Sequence, residues 1–468
     1  MRSALLISTY EMGRQPFGLA SAAAWLRAGG WTVACVDAAK EPLRPESLNG
    51  PELIAFHLPM HTATRLAGPV IVAARRVNPS ACICAFGLYA PLNEEWLRGL
   101  GVDDVLGGEF EEELAAIARS LRDGTGTQRP LSAQRDSGFA GFAGSAFERR
   151  GPALPRIHFL VPDRSGLPPL SRYATLQMPG GQRRLAGYTE ASRGCRHFCR
   201  HCPVVPVYGG QFRVVQADVV LADVAAQVAA GAEHITFGDP DFFNGPTHAV
   251  RIVSALHAAH PGVSYDVTIK IEHLLQHRDL VPRLAATGCA FVTSAIESVD
   301  DEVLRLLDKG HTRADFLNAV AFCREAGVTL VPTFVAFHPW LTPTSYCDLL
   351  DTIHELDLVD HVSPIQLAIR LLVPQGSRLL HLDAMRVHLG AFDAETLTYR
   401  WAHPDPRVDE LQRDVMALVG TRLTSDRRQL FGEVRILAHE RAGLPCRADP
   451  RPARARATVP YLNEPWYC

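Results

Sequence analysis

Ala191-Ser-Arg-Gly-Cys195-Arg-His-Phe-Cys199-Arg-His-Cys202-Pro-Val-Val-Pro206 sets three cysteines at spacings of four and three. They follow the strand-like run Leu185–Glu190 and the helix-breaking Gly194, so they fall on a tight loop where three thiolates can face one point. Closely spaced cysteines of this kind can ligate three irons of a cubic [4Fe–4S] cluster and leave the fourth iron open for a small chelating ligand. The alternative is a zinc knuckle with His197 or His201 as fourth ligand, because zinc also takes three cysteines and a histidine. Zinc ribbons usually pair two short clips, and no second CxxC follows here.

The surrounding chain reads as an intracellular protein of several domains. Its 468 residues carry a net charge of −3 and 47% hydrophobic residues, which gives no basis for bulk binding to nucleic acid or membranes. The N-terminus turns polar too soon for a signal peptide, and no apolar run reaches the roughly 20 residues of a membrane span, so a cytoplasmic location is expected. The 11 cysteines are scattered except at the central loop, which suits a reducing compartment and a metal site better than a disulfide framework. Lysine occurs only at 40, 270 and 309.

Residues 1–125 alternate strand and helix. Strands are expected at Ala4–Ser8, Trp31–Asp37, Leu53–Leu58, Ala81–Phe86 and Val102–Leu106, with helices at Leu19–Ala28, Thr64–Arg76, Asn93–Leu100 and Glu111–Leu121. That order implies an α/β fold with a doubly wound parallel sheet, whose ligands bind beyond the carboxyl ends of the strands. Residues 126–185 form a linker, rich in Gly, Ser and Ala at first and then an ordered strap over Phe159–Leu170. In residues 186–380 strand ends recur at His234–Asn244, Tyr265–Glu272, Ala290–Ser298, Leu330–Phe337 and Ile365–Leu372, six strands with the first. Polar residues at strand ends are what a barrel needs at its reactive rim. Residues 381–468 are a helical extension with helices at Asp405–Arg422 and Arg427–Ala442, ending in Glu464-Pro-Trp-Tyr-Cys468. The aromatic residues of that tail predict docking on the barrel mouth, which brings Cys468 to the substrate.

The cysteine spacing, with His201 directly before the last cysteine, resembles the signature of the radical S-adenosylmethionine (SAM) enzymes, and residues 186–380 resemble their six-strand partial barrel. The resemblance implies that Cys195, Cys199 and Cys202 hold a [4Fe–4S] cluster, that the open iron chelates SAM, and that His201 packs near the adenine. It places Gly238 and Asp239 at the methionine amino group and Glu297, with Ser294 beside it, at the ribose or amino group. Asp241 and Glu272 stand at neighbouring strand ends. Lys270 or Arg370 would meet the SAM carboxylate, Arg more readily as a bidentate partner. Lys309-Gly-His311 resembles a motif common in these barrels and is read as a packing cap.

Pro16-Phe-Gly-Leu19, Gly87 and Val102–Glu111 resemble the cobalamin-binding domain that precedes many such barrels. No Asp-x-His-x-x-Gly is present to supply a lower cobalt ligand, and His57 and His61 lack that context. Either cobalamin binds without a histidine ligand or the domain is a retained scaffold. Ser192–Cys195, His201–Tyr208, Phe237–Phe243, Ile369–Ser377 and the Cys-ended tail are similar to a bacterial radical SAM group of arsenic metabolism that includes arsinothricin biosynthesis. That similarity implies transfer of the 3-amino-3-carboxypropyl group of SAM to trivalent arsenic, with Cys468, Cys446 or Cys347 as soft ligands for arsenite. It also implies an external electron donor such as flavodoxin or ferredoxin. A cobalamin-dependent methyltransferase of a natural product and a non-catalytic metal or arsenic sensor are the other readings.

Overall fold

The structure, a computed structural model, describes residues 2–124, 157–420, 426–446 and 459–463. The first sheet comprises β1 (Ser3–Ser8), β2 (Thr32–Asp37), β3 (Leu53–His57), β4 (Cys82–Phe86) and β5 (Asp104–Leu106), in the order β2-β1-β3-β4-β5. All of its pairs are parallel. Successive side chains of a strand point to opposite faces, and both faces here are apolar. Ala4, Leu6, Leu53, Ala55, Cys84 and Phe86 pack on one face, against Leu19, Leu26, Leu114 and Ile117. Leu5, Ile7, Ile54, Phe56, Ile83 and Ala85 pack on the other, against Ile71 and Leu97. Helices Phe17–Ala28 and Glu111–Asp123 cover the first face, and His61–Val77 and Glu94–Gly99 the second.

The second sheet follows from β6 (Thr175–Gln177), β7 (Arg183–Thr189), the short β8 (Ser192–Gly194) and β9 (Phe212–Val214) pair, then β10 (His234–Phe237), β11 (Ser264–Thr268), β12 (Cys289–Glu297) and β13 (Leu330–Phe334). Strands β7 and β10 to β13 are parallel and curl into a half-barrel, in the order β13-β12-β11-β10-β7-β6. The sixth strand expected over Ile365–Leu372 does not form. Pro364–Leu367 is a 3-10 turn, and the Gln366 side chain accepts a hydrogen bond from the Phe334 N–H at 3.0 Å, occupying the edge a sixth strand would use. Only an isolated bridge, Phe337 to Arg370, remains.

The β14 (Leu389–Asp393) and β15 (Thr398–Trp401) hairpin and the helices Pro406–Gly420 and Arg427–Ala442 follow the barrel. Near the end of the chain, β16 (Tyr461–Leu462) pairs antiparallel to β6, which is itself antiparallel to β7. Strand β16 therefore runs in the sense of β7, toward the carboxyl edge of the half-barrel. Two of the strap residues join the sheets: the Asp163 N–H donates to the Ala20 carbonyl at 2.9 Å, and Arg164 pairs with buried Asp223 at 2.9 Å while donating to Gln15. Among the described residues no helix is long and apolar enough to cross a membrane.

Candidate active site

The cysteine loop leaves the half-barrel through Gly194, whose φ of +74° is open to glycine and whose Cβ would strike the Tyr208 ring and the Gln211 carbonyl. Asp239 anchors the loop by accepting from the Ala191 N–H at 2.9 Å and the Ser192 hydroxyl at 2.5 Å. Asn244 donates to the Gly194 carbonyl at 3.3 Å, and the Arg200 N–H donates to the Leu307 carbonyl at 2.9 Å. Burial pushes the thiol of Cys195 up to about 11 and that of Cys202 up to about 12, so loading the loop with metal releases protons.

The donor set fits a cluster better than a single ion. Four ligands around one zinc stand about 3.8 Å apart when Zn–S is about 2.3 Å. Among the described residues the group able to converge within 4.8 Å is Cys195, His197 and Asp241, which holds one of the three loop cysteines. The two candidate zinc histidines face carboxylates instead: His201 Nε2 lies 3.1 Å from Glu297, and His197 Nε2 lies 3.3 Å from Asp241.

Around this loop the carboxyl ends of β10, β11 and β12 collect buried polar groups. Glu297, at φ +70° on a bulge of β12, meets both His201 and the ammonium of Lys309 at 3.4 Å. Burial by itself would raise the Glu297 carboxyl, but Lys309 and His201 outweigh it and hold it down at about 2. Burial works to lower the Lys309 ammonium, and Glu297 with the thiols of Cys199 and Cys202 more than offsets it. Lys309 therefore stands at the cluster loop and is not the packing cap expected from its motif. Asp241 is fully buried, its Oδ2 2.7 Å from His273 Nδ1. Burial favours its neutral form, and His197 and His273 overcome that to keep it ionised.

Some of these polar atoms lack a partner. The Ser294 hydroxyl and His201 Nδ1 are buried with no hydrogen bond, and the His311 ring has at most a weak one to the Lys309 backbone. Burial, with Lys309 and Lys270 nearby, lowers His311 to about 4, so at neutral pH it offers a neutral ring. A cavity of about 410 Å³ opens beside the loop, lined by Arg196, His197, Lys270, Glu272 and Gly310. Lys270 and Glu272 lie 3.5 Å apart on its wall.

The structure thus gathers Cys195, Cys199, Cys202, His201, Asp241, Lys270, Glu272, Ser294 and Glu297 at one rim. Asp239 instead has its oxygens on the loop backbone and Ser192. Gly238 gives clearance to Tyr188, whose hydroxyl a Cβ there would strike. Arg370 is engaged by Asp409 at 2.6 Å and the Trp401 ring at 3.5 Å, not by the rim residues. Cys347 lies on the outer helix Pro343–Glu355, with Cys446 near enough to bear on its thiol, so neither offers a ligand at the cluster. Cys468 lies outside the described residues. In the sequence His197 reads only as a possible zinc ligand and His273 not at all; for Lys309 the signals are its motif and the scarcity of lysine in the chain.

A second cavity, of about 190 Å³, lies between the carboxyl edges of the two sheets. Gly18, Gly87 and Gly108 line it from the first sheet, and Gly194 and Gly238 from the barrel. The five glycines let rings pack closely on these walls: His57 lies over Gly18, Tyr208 over Gly108 and Gly194, and Tyr188 over Gly238. His57 faces this cavity with Glu11 3.3 Å away, both buried. His61 is held at 2.7 Å from the Thr396 carbonyl instead. A corrinoid held here would need the space over Gly18 and Gly108 that the rings of His57 and Tyr208 occupy in this structure.

Residues 189–356 match the family described as the Radical SAM superfamily. The chain is 25% identical over 189 residues to a tRNA-2-methylthio-N(6)-dimethylallyladenosine synthase of Desulfosudis oleivorans, covering 37% of this chain and 38% of that protein. It is 24% identical over 153 residues to the hopanoid C-3 methylase of Methylococcus capsulatus, covering 32% and 29%. The matched part therefore spans well under half the length of these curated relatives. In fold it is similar to OxsB, a cobalamin-dependent SAM radical enzyme solved with aqua-cobalamin and SAM (TM-score 0.67, 12% identity, 94% of this chain and 72% of that chain). It is also similar to the methyltransferase TsrM of Kitasatospora setae, solved with cobalamin and a [4Fe-4S] cluster (TM-score 0.56, 18% identity, 76% and 73%). The match over residues 189–356 implies a [4Fe–4S] cluster and SAM for that region, and the fold is similar to that of two cobalamin-dependent enzymes.

Proposed function

We propose that this chain is a cobalamin-dependent radical SAM alkyltransferase that methylates a small molecule. The observation carrying the reading is the cavity in which the carboxyl edges of both sheets meet, with Glu11, His57, Gly87 and Gly108 on one side and Ser192, Gly194 and Gly238 on the other. A methyl carrier on the first sheet would there reach a substrate in the barrel over the shortest path.

Cys195, Cys199 and Cys202 would hold the cluster, and His57 with the five glycines would border the corrinoid. When bound, the cluster supplies the electron that opens a carbon–sulfur bond of SAM, and the corrinoid supplies a transferable methyl group. The chain's own residues bind and orient. Ionised Glu297 accepts hydrogen bonds from hydroxyl or ammonium donors, Ser294 offers its unpaired hydroxyl and His311 its neutral ring to adenosine, and Lys270 offers a cation to a carboxylate. Asp239 keeps the loop in register through Ala191 and Ser192. The electron comes from an external donor such as ferredoxin or flavodoxin.

A second reading, 3-amino-3-carboxypropyl transfer to arsenite, draws support from β16, which heads toward the reactive edge six residues before Cys468. Mass spectrometry of anaerobic reactions separates the two. Methylated product, S-adenosylhomocysteine from the methyl-donating SAM, 5′-deoxyadenosine and methionine from the reductively cleaved SAM, and about one corrinoid per chain are expected. Methylthioadenosine with an arsenic-bearing amino acid, formed from arsenite without corrinoid, would replace the first reading by the second.

A further inference from the structure

The lumen of the half-barrel holds a third cavity, of about 220 Å³, whose chemistry differs from that of the cluster rim. Its walls follow the two-residue period of the strands: Thr236 from β10, Asp266 and Thr268 from β11, Phe291 and Thr293 from β12, Val331 and Thr333 from β13 all point inward. Asp266 is already satisfied by His234 at 2.8 Å and by the Thr236 hydroxyl at 2.6 Å. The hydroxyls of Thr268, Thr293, Thr333 and Ser363 make no hydrogen bond to any described residue.

The open side of the lumen is closed by Arg427, at the first turn of the helix Arg427–Ala442, and by Val459–Leu462. Arg427 donates to the Asp360 carbonyl at 2.7 Å and lies over the Tyr461 ring at 4.4 Å. Among the described residues no carboxylate pairs with it, although its neighbour Arg428 pairs with Asp357 at 3.1 Å and Asp360 at 2.9 Å. Burial lowers the Arg427 guanidinium, an effect only partly offset by Tyr461 and by the Asp360 carboxylate, which is paired with Arg428. A guanidinium presents a planar fork of donors matched to carboxylate and phosphate. Arg14 adds a second cation to the same wall, and the cavity touches Gly238, which also borders the cavity between the sheets.

We propose that this lumen binds a small hydroxylated molecule by its oxyanion, a carboxylate or a phosphate, with Arg427 as the anchor and the inward threonines as partners for its hydroxyls. The proposal rests on the reading of the barrel as the substrate side of a radical SAM enzyme, and it narrows the substrate to an anionic class. Arg427 is a binding residue, and Tyr461 positions it.

Matched probes test it on the full, anaerobically reconstituted chain by calorimetry: glycerate against glyceramide, and glycerol 3-phosphate against glycerol. A charged hydrogen-bonded pair predicts that one anion binds at least about tenfold tighter than its neutral partner; the favoured anion identifies the carboxylate or phosphate source. Arg427→Gln should abolish the preference, Arg427→Lys should keep part of it, and Arg428→Gln, outside the lumen, should leave it intact. Equal binding of anion and neutral partner, or a preference that survives Arg427→Gln, would overturn the proposal. Iron content is read on the same samples: a wild-type chain without iron overturns the enzyme reading, whereas equal probe binding by an iron-loaded chain overturns only the lumen assignment.

Discussion

The joint between the two sheets and the rim of the barrel are both built from buried charges, and they differ in how those charges are satisfied. At the joint Arg193 and Arg213 each have an acid. Arg193 meets Glu111 at 2.6 Å and Glu190 at 2.7 Å and lies over the rings of Phe17, Phe110 and Phe159, while Arg213 pairs with Glu109. At the rim the Ser294 hydroxyl and His201 Nδ1 have no hydrogen bond, and the His311 ring has at most a weak one. Atoms of the joint, among them Glu109 Oε1, Glu111 Oε2 and Arg213 Nη2, also lack a hydrogen bond, but there opposite charges face each other, whereas at the rim neutral groups stand alone, and unpaired buried groups are costly unless a ligand completes them. On the proposed reading the joint is the fixed part and the rim is the binding side.

The largest test of that contrast removes the rim's purpose. Replacing Cys195, Cys199 and Cys202 by Ala should eliminate cluster iron and all SAM cleavage while the joint stays docked, as read by iron analysis and limited proteolysis. The next breaks the joint. Arg193→Met strands Glu111 and Glu190 without their cation and should cost about 3–5 kcal/mol in denaturant unfolding. An unchanged stability would mean that the joint is loose.

Lys309→Met sharpens the account of the rim. Removing a buried cation beside two cluster thiolates makes adding an electron harder, so the midpoint potential should fall by roughly 100 mV, the effect of one charge at several ångströms through an effective dielectric near 20. A titration followed by electron paramagnetic resonance measures it, and a potential that does not move would place Lys309 out of electrostatic reach. The smallest effect is a pH dependence. Glu297 is held at about 2 against its ordinary 4.5. Its folded-state pKa is depressed, so its stabilising contribution is complete above about 4.5 and drains away as the pH falls toward 2. Urea unfolding of the cluster-free chain between these limits should show this slope, and Glu297→Gln should flatten it.

Much of this was legible in the sequence because it is local. The three cysteines lie on eight residues, and the strand ends carry their acids at the point where each strand stops. What was not legible depends on side chains from distant segments. Gln366 reaches the Phe334 backbone and cancels a sixth strand that the apolar run Ile365–Leu372 predicts. Arg370 is engaged by Asp409 and Trp401, 39 and 31 positions away, and not by the rim residues. Lys309 gains its role only when the turn after helix Asp301–Leu307 brings it against Cys199 and Cys202. The inward threonines look in sequence like ordinary strand residues, and Arg427 like an ordinary surface charge, until Val459–Leu462 closes over the lumen.

The central claim is that the Cys195–Cys202 loop presents an open iron to SAM beside Glu297, Ser294 and His311. Electron paramagnetic resonance of the reduced, anaerobically reconstituted chain, recorded with and without SAM, tests it most directly. The account predicts the signal of a reduced [4Fe–4S] cluster whose spectrum shifts when SAM is added. A cluster signal indifferent to SAM, or a colourless chain carrying zinc, would contradict it.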